Sequence, residues 1–240
     1  MKSNIDERQT LDCQSYFDGV SRSWELNYAA DGSMVGRLAG IVEQLKTRVR
    51  IGGRILEFGC GAGDISAQCA REGYKVDAVD RSTKMIERAK SRFSNEGVDF
   101  SPCADSLNLP FPDGTFDGIV ASSVLEYVSP LQAHLKELQR VCKADGYSFI
   151  TVPNMIHPIR WLEAAERCLV SPFRGWLPAV LHEREDYLAL SVNRLSMRQW
   201  SRAFSQAGWA IVGTEQRYEP LKLIIGKKGA NVAANRAESL

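Results

Sequence analysis

The chain has 240 residues, 44% hydrophobic and 25% charged, which is the length and composition of one large globular domain or of a core domain with an insertion; disordered, fibrous and small disulfide-stapled classes are excluded. Lys and Arg total 30 against 29 Asp and Glu, a formal charge of +1, so no global basic field is available to hold nucleic acid or an anionic membrane. The opening MKSNIDERQT lacks the apolar run of a signal peptide, and no stretch approaches the about 18 consecutive apolar residues of a membrane span. The sequence therefore reads as that of a cytoplasmic protein.

In chain order, residues 1–50 read as a helical leader. Tyr16, Phe17, Trp24 and Tyr28 are followed by Val35, Leu38, Ile41, Val42 and Leu45 at helical spacing. From Arg54 onward short apolar runs alternate with helical stretches. RILEF precedes a helix beginning near Asp64, and KVDAVD precedes a helix through MIERAKSRF. VDFSPCAD and FDGIVASS follow, then a helix around LQAHLKELQRV and the run YSFITVP. This alternation implies an α/β fold with a parallel sheet and helices on both faces. Residues 154–196 interrupt it with Pro158, Pro172, Gly175 and Pro178 among Trp161, Phe173, Trp176 and Tyr187, an aromatic insertion of the kind that caps a pocket. The core resumes with LSMRQWSRAFSQAGW, a helix ended by Gly208, and with WAIVGTEQRY and LKLIIGKK as strands; residues 229–240 read as a polar tail. The six cysteines (Cys13, Cys60, Cys69, Cys103, Cys142 and Cys168) show no zinc spacing and read as buried free thiols, with no metal expected.

RILEF runs straight into Gly59-Cys60-Gly61-Ala62-Gly63, a tight glycine turn at the carboxyl end of the first strand, where a ligand can approach the backbone. No G-x-x-x-x-G-K-[ST] phosphate loop is present, and Asp64 at the helix start would repel a pyrophosphate, which disfavours a nucleotide-dependent oxidoreductase. Asp64 could pair with a cationic ligand group instead. Asp80, ending the second strand, is placed to accept both hydroxyls of a ribose, the alternative being a helix N-cap supplied by Asp80 or Ser82. Asp105 is a further acid at a strand end.

With these pieces the chain resembles the class I S-adenosylmethionine-dependent methyltransferases, in the branch that acts on small molecules. The matching segments are LEFGCGAG, VDAVDRS, CADSLNLPFPDGTFDGIVASSVLEYV and LQRVCKADGYSFITVPN, with SQAGWAIVGTE resembling the closing segment. The resemblance implies a Rossmann-like seven-stranded sheet whose last hairpin adds an antiparallel strand. It further implies an N-terminal helical lid over residues 1–50, a core over 51–228 with the cap insertion, and S-adenosylmethionine as cofactor, leaving S-adenosylhomocysteine as product. Glu57, Gly59, Cys60, Gly61 and Gly63 would surround the methionine part, with Glu57 and Asp64 giving negative potential near its cationic groups. Asp80 would bind the ribose. Asp105, Ser106 and Leu107 would meet the adenine, and Ser122 would lie beside the methionine end. Arg81 would stack on adenine or point into solvent. Tyr16 and Trp24 would close the lid or serve as ordinary packing.

Methyl transfer from a sulfonium needs an aligned nucleophile and excluded water, and a base where the acceptor carries a proton. His157, directly after the fifth strand, and His182, beside Glu183, Glu185 and Asp186, are the candidate bases; His134, inside a helix, reads as structural. Glu126 matches the first member of the family's E-H pair, but Tyr127 replaces the histidine. Tyr127, Trp161, Trp176 and Tyr187 would line the acceptor site, suiting an aromatic or apolar small molecule methylated on oxygen in preference to nitrogen or carbon. ASSVLEYV replaces the N/D-P-P-Y type that holds a flipped base, so no nucleic-acid partner is expected. The expected protein is a monomer or homodimer without a membrane span. The competing reading is a non-catalytic cofactor-binding or scaffold protein on the same fold.

Overall fold

The computed structural model describes residues 13–24, 28, 34–170, 188–215 and 220–229, and for 166–170 the backbone alone. A helix over 13–20 (α1) is followed by α2 (Val35–Lys46), β1 (Arg54–Phe58), α3 (Asp64–Arg71), β2 (Lys75–Asp80), α4 (Thr83–Arg92) and β3 (Val98–Pro102). Then come β4 (Phe116–Ser122), α5 (Leu131–Val141), β5 (Cys142–Pro153), α6 (Pro158–Val170), α7 (Met197–Gln206), β6 (Trp209–Glu215) and β7 (Leu221–Lys228). The seven strands form one sheet in the order β3-β2-β1-β4-β5-β7-β6. β1 to β5 are parallel, and β7 runs antiparallel to both β5 and β6. The parallel α/β core is the one expected from the alternating apolar runs, and the seven-stranded Rossmann-like sheet with its antiparallel strand is the one the resemblance implies.

Successive strand residues face opposite sides, and the two sides have separate cores. Ile55, Val120, Phe149, Leu223 and Ile225 pack with Ile41, Leu45, Ile65 and Cys69 of α2 and α3. Their chain neighbours Leu56, Ile119, Ile150 and Ile224 point the other way, against Leu135 and Leu138 of α5 and Trp200 and Phe204 of α7. Each fully buried Leu, Ile or Phe contributes about 1.5–3 kcal/mol, so burial on both faces explains why the central strands read as continuous apolar runs. The helices start where local chemistry allows: the Ser82 hydroxyl accepts from the Met85 N–H at the head of α4, and Ser196 with Gln199 forms a capping box on α7. The cysteines 13, 60, 69, 103 and 142 are buried free thiols, and the side chain of Cys168 lies outside the described residues.

Within the aromatic insertion, where the sequence analysis assigns no element, residues 158–170 form the helix α6, which begins on Pro158; a proline is pre-organised for a first helical position because its fixed φ suits the turn and its missing N–H is not needed there. The remainder of the expected cap, 171–187, most of the expected tail and much of the leader fall outside the described residues. Among the described residues no helix is long and apolar enough to cross a membrane.

Candidate active site

From β1 the chain builds outward through β2 to β3, then crosses back to add β4 on the other side of β1, so the loops at the carboxyl ends of β1 and β4 diverge. A cavity of about 900 Å³ fills the gap, walled by the loops after β1 to β4, by α1 and α2, and by α6.

The floor is the glycine turn. Gly59, Gly61 and Gly63 all have positive φ. A Cβ at Gly59 would collide with Val124, and one at Gly63 would lie 2.8 Å from the Phe100 ring and 3.0 Å from the Ala89 methyl, so two of the three are required by close approach as well as by φ. Beside the turn Glu57 is buried on the cavity wall and accepts a hydrogen bond from the Ser66 hydroxyl. Burial pushes its pKa up to about 8, against the pull of Ser66, and the negative charges of Asp64 and Asp80 add to the rise. Asp80 accepts from the Gly61 N–H and the Ser82 N–H, both at 2.8 Å. Its pKa is also raised by burial and held back by those bonds. The N-cap of α4 belongs to Ser82, so Asp80 is not engaged as a cap. Asp64 differs from the sequence reading: its two oxygens are taken by Arg92 Nη1 and Nη2 at 2.6 Å, and Arg92 also donates to the Ala62 carbonyl.

Past β3, Asp105 accepts from the Leu107 N–H at 3.0 Å and from Asn108 Nδ2 at 2.8 Å, which holds its carboxyl below the usual range. Ser106 accepts from Arg81 Nη2 at 3.2 Å and lies 2.9 Å from His134 Nε2. Because His134 Nδ1 lies 2.9 Å from the Pro130 carbonyl, the proton resides on Nδ1, and Nε2 accepts from the Ser106 hydroxyl. Arg81, Asp105, Ser106, Leu107 and His134 all line the cavity. His134, read from sequence as remote from any strand end, is brought there by the packing of α5.

The N-terminal segment closes one side. Trp24 packs edge-on to Phe17 at 5.6 Å between ring centroids, and Phe17 meets Tyr127 at 5.5 Å. Trp24 Nε1 lies where a side chain at Gly61 would otherwise project. Phe17 and Trp24 line the cavity; Tyr16, edge-on to Phe17, is not among the lining residues. From α2, Arg37 reaches the end of β4, where Nη1 lies 2.9 Å from Ser123 Oγ and 3.5 Å from Ser122 Oγ. Ser123 itself has φ 55 and is held by a bond from its N–H to Thr151 Oγ1 at 2.8 Å, a strained backbone at a loop that faces the cavity. Arg37 makes no ion pair with a carboxylate among the described residues.

The far end, beyond β4, is charged. Glu126 is buried, with one oxygen accepting from Ser191 Oγ at 3.0 Å; burial raises its pKa and the cations Arg160, Arg194 and Arg37 oppose the rise. On α6, Arg160 Nη1 donates to both oxygens of Glu163 at 3.1 and 3.0 Å, and Glu163 also receives Arg194 Nη2 at 3.1 Å. Glu126, Tyr127, Arg160 and Glu163 line the cavity. Of the other residues singled out in the sequence, Glu57, Gly59, Cys60, Gly61, Asp80 and Ser122 line it, while Gly63 supports the turn from behind. His157 and Trp161 are not lining residues: His157 Nδ1 accepts from the Ile159 N–H at 3.3 Å, and Trp161 is 66% exposed. His182, Trp176 and Tyr187 lie outside the described residues. Sequence reasoning missed Phe17, Arg37, Arg160 and Glu163 as site residues; each reaches the cavity from a helix, and no local pattern says which cavity a helix borders.

The site thus joins a glycine floor with two acids, a cation resting on hydroxyls, an aromatic wall and a charged far end. A family model described as "Methyltransferase domain" matches residues 56–150. A demethylmenaquinone methyltransferase of Beutenbergia cavernae is 33% identical over 216 residues, 86% of each chain. An uncharacterized methyltransferase, YodH of Bacillus subtilis, is 33% identical over 134 residues; there the match spans only 55% of each chain. Among solved structures, phosphoethanolamine N-methyltransferase 2 of Haemonchus contortus in complex with S-adenosyl-L-methionine superposes with a TM-score of 0.66 at 16% identity, over 89% of this chain and 57% of that one.

Proposed function

The chain belongs to the class I S-adenosylmethionine-dependent methyltransferases, and on that premise we propose that it transfers the cofactor's methyl group to an oxygen of a small ring-bearing molecule. The single observation that carries this reading is the lining of the cavity, which joins the glycine floor with Glu57 and Asp80 to the rings of Phe17, Trp24 and Tyr127 and to the charges of Glu126, Arg160 and Glu163. The cofactor fits the glycine floor on chemical grounds. Its methionine part is a zwitterion, and Glu57 and Arg37 offer the two complementary charges; Arg37 has only hydroxyl partners there, which leaves its charge available for a carboxylate. Asp80 takes the ribose hydroxyls in this assignment, with Asp105, Ser106, Leu107 and Arg81 around the adenine and Trp24 covering the turn.

When bound, the cofactor supplies an electrophilic methyl carbon on a sulfonium. The protein's own work is to position and to exclude water. Phe17, Trp24 and Tyr127 form the dry wall. Glu126 is our proton acceptor in preference to His157, because it lies on the cavity wall and, among the described residues, Ser191 alone is bonded to its carboxylate. The name of the Beutenbergia relative, a demethylmenaquinone methyltransferase, favours a ring-bearing acceptor here as well.

A panel of catechols, hydroquinones, hydroxybenzoates and aromatic amines, assayed for S-adenosylhomocysteine release, tests the reading. Turnover with a phenolic member, lost in Glu126→Gln, is expected. Turnover with the amines alone would overturn the oxygen preference, and undiminished turnover in Glu126→Gln would remove the base.

A further inference from the structure

Arg160 has more hydrogen-bonding capacity than the fold uses. It is 9% exposed and lines the cavity. A guanidinium carries five N–H donors, yet among the described residues only Nη1 is engaged, by Glu163. Nε is buried without a hydrogen-bond partner, and Nη2 donates to nothing among the described residues. Buried polar groups are paired in the great majority of cases, so an arginine left with spare donors against a cavity indicates a missing acceptor. Glu163 meets Arg160 through Nη1 alone and also receives Arg194 Nη2.

We infer that Arg160 anchors an oxyanion on the methyl acceptor, a carboxylate or phosphate group carried close to the atom that receives the methyl. The inference rests on the methyltransferase reading and deepens it. The local charge supports an anion: the guanidinium groups of Arg160 and Arg194 share one carboxylate, Glu163. A cationic acceptor would meet the guanidinium's like charge. A wholly apolar acceptor would strip Arg160 of water without replacing its bonds, which carries a desolvation penalty. An oxyanion supplies two or three acceptor atoms in the planar geometry the guanidinium prefers. The aromatic wall of Phe17 and Tyr127 leaves room for a ring attached to that group.

The test is calorimetric titration of the full chain with benzoate, phenyl phosphate and the neutral benzamide, each with and without saturating S-adenosylhomocysteine. Binding of S-adenosylhomocysteine itself is measured first; its absence would defeat the methyltransferase reading whatever the acids do. With the cofactor product bound, we expect benzoate or phenyl phosphate to bind at least about tenfold more tightly than benzamide, the usual scale for a charge-assisted bond. The preferred acid tells a carboxylate from a phosphate. Arg160→Gln is expected to remove that preference while S-adenosylhomocysteine affinity stays within about twofold, the level at which differences are not resolved as a lost interaction. Glu163→Gln, which keeps the arginine and removes its competing negative charge, is expected to tighten acid binding. Should Arg160→Gln fail to fold, the Glu163→Gln result decides. Equal binding of benzoate, phenyl phosphate and benzamide, no binding by either acid, or acid affinity unchanged in Arg160→Gln or lowered in Glu163→Gln would overturn the inference.

Discussion

Glu57 shows how one buried carboxyl couples cofactor and pH. Its folded-state pKa of about 8 lies above the ordinary 4.5, so the native state holds a proton that the unfolded chain releases. The sign follows from linkage: Glu57 disfavours folding progressively as pH rises from about 4.5 toward 8, and Glu57→Gln is expected to flatten that part of a stability profile measured by urea unfolding. A profile equally steep in the variant would show that the residue does not titrate there. An ammonium beside the carboxylate favours its ionised form, so S-adenosylhomocysteine affinity should rise between pH 6 and 8 in the wild type and stay level in Glu57→Gln. At this scale the sequence was informative only where spacing is short. Glu57, the glycines and Asp80 lie on consecutive strand ends of a recognisable pattern, and they come together in the fold. Arg37, His134 and Arg160 reach the cavity through helix packing, which no local pattern encodes. The expectation for Asp64 went the other way, because Arg92, 28 residues downstream, takes its carboxylate.

At the scale of elements, the loop after β4 is held by a segment far away in sequence. Asn193 Nδ2 donates to the Leu125 and Val128 carbonyls at 2.7 and 2.6 Å, and the Val192 and Asn193 N–H groups both bond the Glu126 carbonyl. This clamp fixes Glu126 and Tyr127 against the cavity. Asn193→Ala should cost about 1–3 kcal/mol, the penalty of leaving buried carbonyls unpaired, and should depress acceptor turnover while S-adenosylhomocysteine affinity is kept. A joint loss of cofactor affinity would mean that the clamp supports the whole site. α6, which carries Arg160, was hidden in the sequence by the prolines and aromatics around it. A proline at a helix start looks the same as a proline in a loop until the downstream backbone is known.

For the molecule as a whole, the alternation of apolar runs and amphipathic stretches was enough to give a parallel sheet with helices on its faces, while the antiparallel strand of the last hairpin followed only from the family resemblance. Double-faced burial makes that pattern strong. Phe149 in the middle of β5 is fully buried against α2 and its neighbours, and Phe149→Ala is expected to cost about 3–5 kcal/mol, read as a fall in urea midpoint with unchanged slope. A loss below 1 kcal/mol would place the stabilising core elsewhere. The sequence could not disclose the far end of the cavity, because its charges come from the loop after β4, from α6 and from the segment before α7 and meet only in the folded chain.

In the proposed site the crevice between β1 and β4 binds S-adenosylmethionine through Asp80, and a thermal-shift titration with S-adenosylhomocysteine on wild type and Asp80→Ala is the decisive experiment. The wild type is expected to be stabilised by about 2.7 kcal/mol at a hundredfold excess over the dissociation constant, and a folded Asp80→Ala to bind at least about tenfold more weakly. No stabilisation of the wild type, or equal stabilisation of both proteins, would contradict it.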